Sequence, residues 1–106
     1  MLTWRDLFSI LRRADQIDKG SVVIVKFKNK DDKIYSVMDI KNSDNKMILI
    51  LGNEYINYFH MLIKAKDAEI WGKSNYNPAL FVKFENELLS VKEIYFDETF
   101  DIILTI

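Results

Sequence analysis

Apolar residues at Trp4, Leu7, Phe8, Leu11 and Ala14 recur at the three- and four-residue spacing that lines one face of a helix, with Ile10 beside them. Thr3 is a good N-cap residue, Asp6 stands in the capping-box position, and Leu2 and Leu7 are placed as a hydrophobic staple. The spacing therefore predicts a helix over residues 4–14, closed by residues 15–20, where Gly20 supplies backbone freedom for a turn. Residues 21–28 are rich in β-branched and aromatic side chains and predict a strand. The polar cluster 29–33 is a hairpin loop, 34–40 a second strand, 42–45 a second turn and 46–51 a third strand. Gly52-Asn53 breaks the pattern, and Asn53 can cap a second helix.

The same order then returns. Tyr55, Tyr58, Phe59, Leu62 and Ala65 predict a helix over 54–66, and strands come next near 79–85, 88–95 and 101–106. Val25-Lys26-Phe27 matches Val82-Lys83-Phe84, Ser36-Val37 matches Ser90-Val91, and Ile48-Leu49-Ile50 falls on Ile102-Ile103-Leu104. Trp4, Phe8, Leu11 and Ala14 align with Tyr55, Phe59, Leu62 and Ala65. The fold class this implies is α+β: a tandem αβββ repeat, each copy a helix and a three-stranded antiparallel meander. Six strands then carry two helices packed on the sheet, in one domain made of two intimate halves, 1–52 and 53–106. The apolar ending Ile102–Ile106 is expected inside a sheet, because an exposed edge of this kind invites association. Pairing of this strand with a second molecule, giving a homodimer, is the alternative.

Composition narrows the chemistry. The 106 residues are 49% hydrophobic and 29% charged, the balance of a folded globular domain. With no cysteine and one histidine, disulfides, thiolate catalysis, Cys-ligated zinc and most nucleophile–base pairs fall away. Gly72-Lys73-Ser74 lacks the earlier glycine of a phosphate-binding loop. Carboxylates cluster in the turn 95–101, but without the spacing or sharp-turn glycine of a calcium loop they read as a solvated hairpin end. The chain is thus expected to be no enzyme and to take no cofactor or metal. The opening residues have no basic stretch followed by an apolar one, and no apolar run reaches the ~20 residues of a membrane span, so the expected location is the cytoplasm. Net charge is −1, divided unevenly: +3 up to Asn53 and −4 beyond it.

The positions where the two copies differ direct attention to function. Arg5 and Arg12 align with Ile56 and Ile63, with His60 between the isoleucines, which predicts a wide apolar face on the second helix. The helix-to-strand link is longer in the second copy and carries Trp71 and Tyr76, residue types that dominate binding hot spots. Ile56, His60, Ile63, Trp71 and Tyr76 are therefore the candidate partner-binding residues. The expected function is a small protein-interaction module of the inhibitor, immunity or regulatory kind that bacteria and phages encode. The alternative is a single-stranded RNA or DNA binder using Lys26, Lys28, Lys33 and Tyr35 of the basic first half, with Phe27 as a further stacking ring. On the first reading, Ile56→Asp or Trp71→Ala removes binding and leaves stability within about 1 kcal/mol.

Overall fold

The computed structural model describes residues 1–16, 24–72 and 75–106. The predicted turn at 17–20, the first residues of the predicted strand (21–23), and Lys73 and Ser74 lie outside the described residues. The elements run α1 (Trp4–Gln16), β1 (Val25–Lys28), β2 (Ile34–Ser43), β3 (Lys46–Gly52), α2 (Tyr58–Asp67), β4 (Ala79–Phe84), β5 (Glu87–Ser90), β6 (Glu93–Phe96) and β7 (Ile102–Thr105).

The capping box at α1 forms: Asp6 accepts from the Thr3 amide at 2.7 Å and from its hydroxyl at 3.1 Å. Trp4, Leu7, Leu11 and Ala14 are buried on one helix face. The second helix begins later than its apolar spacing suggests. Asn57, not Asn53, is its N-cap, and accepts from the His60 amide at 2.9 Å. The competing asparagine loses because residues 56 and 57 are held extended against β1: the Val25 amide donates to the Ile56 carbonyl, and Ile24 pairs with Asn57.

The expected six strands in two antiparallel meanders are not what forms. Seven strands make one mixed sheet in the order β5-β4-β3-β2-β1-β7-β6. Neither half pairs only with itself. β3 runs parallel to β4, and β1 runs parallel to β7, so each half is completed by a strand of the other. Short connections disclose hairpins because the chain has no room to do otherwise. A parallel pair joins strands far apart in sequence and leaves no local mark. The expected single strand 88–95 is divided into β5 and β6. β5 pairs with β4 and β6 with β7, so the two ends of the sheet are successive pieces of one chain segment. At the joint, the Val91 amide donates to the Leu80 carbonyl at 3.1 Å and the Lys92 amide to the Thr105 carbonyl at 2.8 Å. The sheet must curl for one segment to serve both edges.

A bulge in β2, between Val37 and Asp39, stands at the place corresponding to this joint. Val37 and Ile40 both reach the core although three residues apart, an odd spacing that alternation forbids unless one residue is inserted. Val91 and Ile94 show the same spacing across the joint. The registers of the two halves correspond from here outward. Met47 opposite Leu80 and Leu49 opposite Val82 match Ile102 opposite Val25 and Leu104 opposite Phe27. Lys26 opposite Ser36 matches Phe81 opposite Ser90, and the bridge Ile24–Asn57 matches Ala79–Thr3.

This correspondence is not the one that sequence similarity suggests. Val25 stands where Leu80 does, so the VKF match is displaced by two residues. Trp4 corresponds to Tyr58 rather than Tyr55, and Leu49 to Leu104 rather than Ile103. The two-residue slip of the VKF match preserves which side chains face inward, so strand similarity cannot detect it, and the one-residue slip at Leu49 is hidden because Ile103 and Leu104 are both buried.

Val25, Phe27, Val37, Met47, Leu49, Leu80, Val82, Val91, Ile102 and Leu104 form one core with the inner faces of both helices. The last strand, β7, is interior, with β1 on one side and β6 on the other, and offers no edge to a second copy. Leu104 is fully buried between strands of both halves, so Leu104→Ala should cost roughly 2–5 kcal/mol. The exposed Lys41→Ala should stay within about 0.5 kcal/mol. Urea denaturation of the two variants measures the contrast.

Candidate functional site

The five candidate partner-binding residues do not form one patch. Ile56 is 6% exposed and belongs to the core. Tyr76 also turns inward: its hydroxyl donates to the Asn42 side-chain carbonyl, and the Asn42 amide group donates to the Ala68 carbonyl at 3.0 Å. This chain of bonds ties the end of β2 to the C-terminal end of α2. Trp71 lies against Phe8 of α1, ring centroids 5.9 Å apart, and keeps about a third of its surface exposed, 36%. Only His60 and Ile63 stay on the outer face of α2, with Ile63 56% exposed.

Phe59, outside that set of five, shares the face with Ile63, while Tyr55 is exposed ahead of the helix, its ring 6.0 Å from the Lys26 ammonium of β1. Phe59 is one turn from Ile63 and 48% exposed, and Tyr55, just ahead of the helix, is 56% exposed. The four-residue step 55, 59, 63 is present in the sequence. Only its 59 and 63 positions lie on α2, because the helix starts at Tyr58 and Tyr55 precedes it. Phe59 packs edge-on against Tyr58 at 4.6 Å, so its ring is held in place from one side and open on the other. Lys64, which pairs with Asp39 at 3.5 Å, and the exposed Lys66 and Asp67 provide a charged border.

The residues of the nucleic-acid alternative are dispersed as well. Phe27 is fully buried, and Tyr35 is half-buried in a ring cluster with Phe27 at 6.3 Å and Phe84 at 5.2 Å. Lys26 is paired with Asp101 at 2.8 Å and Lys28 with Asp32 at 3.4 Å, while Lys33 is exposed on the loop before β2.

The acidic turn before β7 is an organised polar knot rather than a loose carboxylate cluster. Asp97 accepts from the Thr99 amide and hydroxyl and from the Asp101 amide, at 2.7 to 3.0 Å. Asp101 accepts from the Ile24 amide at 3.1 Å and from Thr99 at 3.1 Å, besides its pair with Lys26. The hydrogen bond to Asp101 raises the Lys26 pKa, against an opposing effect of burial. Burial pushes the Asp97 carboxyl up, but the hydrogen bonds from Thr99 and the backbone, with the positive charge of Lys26, outweigh it and hold the group below its usual range. Among the described residues no three His, Asp or Glu side chains converge as a metal site would require. A cavity of about 240 Å³ lies beside Asn29, Phe84 and Ile106, and two wider, more open depressions of about 450 and 380 Å³ lie along α1. No described helix is long and apolar enough to cross a membrane.

No family model, curated protein or solved structure matches the chain, so the reading of its surfaces rests on their own geometry.

Ile56→Asp places a charge in the core beside the bond that pins β1, and should prevent folding or lower stability by several kcal/mol, read by circular dichroism. For pH, the depressed Asp97 pKa contributes stability that is present above the unfolded carboxyl value of about 4 and is lost as pH falls through the lower folded value. The raised Lys26 pKa contributes below about 10.4 and is lost as pH rises through the higher folded value. Thermal melts across pH should fall at both ends, and Asp97→Asn should flatten the acidic limb.

Proposed function

We propose that this protein is a non-catalytic module that binds another protein through the outer face of α2. The observation that carries this reading is the exposure of Phe59 and Ile63 one turn apart on α2, each about half open to solvent, in a chain whose other helix covers its apolar face. Aromatic and aliphatic anchors surrounded by Lys64, Lys66 and Asp67 have the composition of an interface centre with a polar rim. His60, exposed on the same face, would lie within such a contact. A protein of the inhibitor, immunity or regulatory kind acts in this way, by covering a surface of its partner.

The reading is tested by substituting the exposed positions rather than the buried one. Phe59→Asp with Ile63→Asp should abolish capture of the specific partner from cells of the source organism, while the unfolding free energy changes by no more than about 1 kcal/mol. Sedimentation of the wild type alone distinguishes a partner from a second copy of the chain. Capture that survives both substitutions removes the α2 face from the proposal.

A further inference from the structure

The corrected correspondence between the halves places Arg5 opposite Phe59, Ser9 opposite Ile63, and Arg12 and Arg13 opposite Lys66 and Asp67. The outer face of α1 is therefore cationic where that of α2 is apolar. Arg5, Arg12 and Arg13 are exposed, and their guanidinium groups take no hydrogen-bond or ion-pair partner among the described residues. On the same helix the carboxylate of Asp6 accepts from the amide and hydroxyl of Thr3 rather than from an arginine, and Asp15 is the other acidic residue of α1. Arg5 and Arg12, seven residues apart, span roughly 10 Å of one helix face.

An aromatic row borders these charges. Trp4, Phe8 and Trp71 succeed one another with ring centroids 5.3 and 5.9 Å apart, running from the buried Trp4 outward to Trp71. Arg5, Phe8, Ser9, Arg12 and Arg13 line an open depression on the surface of the helix itself. Asn77 steadies the same corner, its side-chain carbonyl accepting from the Arg5 amide at 2.9 Å.

We infer that the α1 face binds single-stranded nucleic acid, with the three arginines on phosphates and Trp71 stacked on a base. This surface is separate from the α2 face and uses none of the lysines that the sequence singled out. Guanidinium groups match phosphate oxygens in geometry, and the part-exposed indole of Trp71, packed on the Phe8 that lines the arginine depression, offers a flat surface that an unpaired base can cover. An acidic polypeptide would satisfy the arginines but would leave the indole without a planar partner. A duplex would present its phosphates but keep its bases stacked out of reach.

The experiment is fluorescence anisotropy of a labelled oligothymidylate of about 15 nucleotides, within the length such surfaces cover, titrated with the full chain. Binding should weaken with salt at a slope near −2 in log K against log salt, about −0.7 for each of three neutralised phosphates. Arg12→Gln with Arg13→Gln should reduce that slope to about −0.7. Trp71→Ala should weaken binding by roughly 5- to 150-fold, the range for loss of one stacked base. Trp71→Phe, which retains a ring and guards against a loosened fold, should bind nearly as well as the wild type. Failure of the oligonucleotide to bind at low salt overturns the inference, as does equal retention of polyglutamate. Oligonucleotide binding that is insensitive to both the arginine and the Trp71→Ala variants overturns it as well, because the site then lies elsewhere. Partner capture by α2 is unaffected by any of these outcomes, so the two surfaces are tested independently.

Discussion

The joint at Val91 and Lys92 carries the fold. Within two residues the chain leaves one sheet edge and joins the other: the Val91 amide bonds to β4 and the Lys92 amide to β7. Backbone amides in a buried sheet need partners, and this segment finds them on both sides only if the sheet curls until its first and last strands meet in sequence. Curling brings the inner faces of all strands around one core, and Val91 itself is fully buried there. The β2 bulge bends the opposite wall in the same way, and Met38 at the bulge lies over Gly52, where a side chain would have to displace it. Two bends and two parallel seams thus determine the shape, and the helices complete the core.

Polar groups reinforce the seams where strands from different halves meet. Lys26 and Ile24 of the first half hold the Asp101 carboxylate of the second, Thr99 lies within hydrogen-bond reach of it, and Asp97 accepts from the Asp101 backbone amide. On the other side, Tyr76 and Asn42 bind the approach to β4 to the end of β2. In both places a loop is used to join the halves: one that the sequence reads as a solvated hairpin end, and one whose Tyr76 the sequence reads as a binding residue. The turn before β7 and Tyr76 are consequently constrained by the fold, whereas α1 and α2 are free to vary on their outer faces. The two outer faces differ, one carrying arginines and the other aromatic and aliphatic side chains, which is the physical basis for proposing different ligands for them.

Hydrophobic spacing discloses the helix of residues 4–16 almost to its ends, together with the hairpins and most of the core, because these depend on neighbours a few positions away. It also draws attention to the second helix and to Trp71. It misplaces the details on which a binding surface depends. Beginning α2 at residue 54 puts Ile56 on the outside and hides Tyr55 and Phe59, although either asparagine satisfies the local rules for a cap. Matching VKF to VKF sets the halves two residues out of register and three out along the helices, so Arg5 is compared with Ile56 instead of Phe59.

By itself the sequence determined that this chain is an α+β protein with one apolar core, that it lacks cysteine chemistry, and that its helices carry different outer faces. Those properties arise from side-chain type and local period. Tertiary structure alone decided that the strands form a single mixed sheet, that 88–95 divides at a joint, and which of Ile56, Phe59, Ile63, Trp71 and Tyr76 meet solvent. Each of these depends on pairing between residues distant in the chain, such as Val25 with Ile102, and a strand's side-chain alternation is the same whichever neighbour it takes.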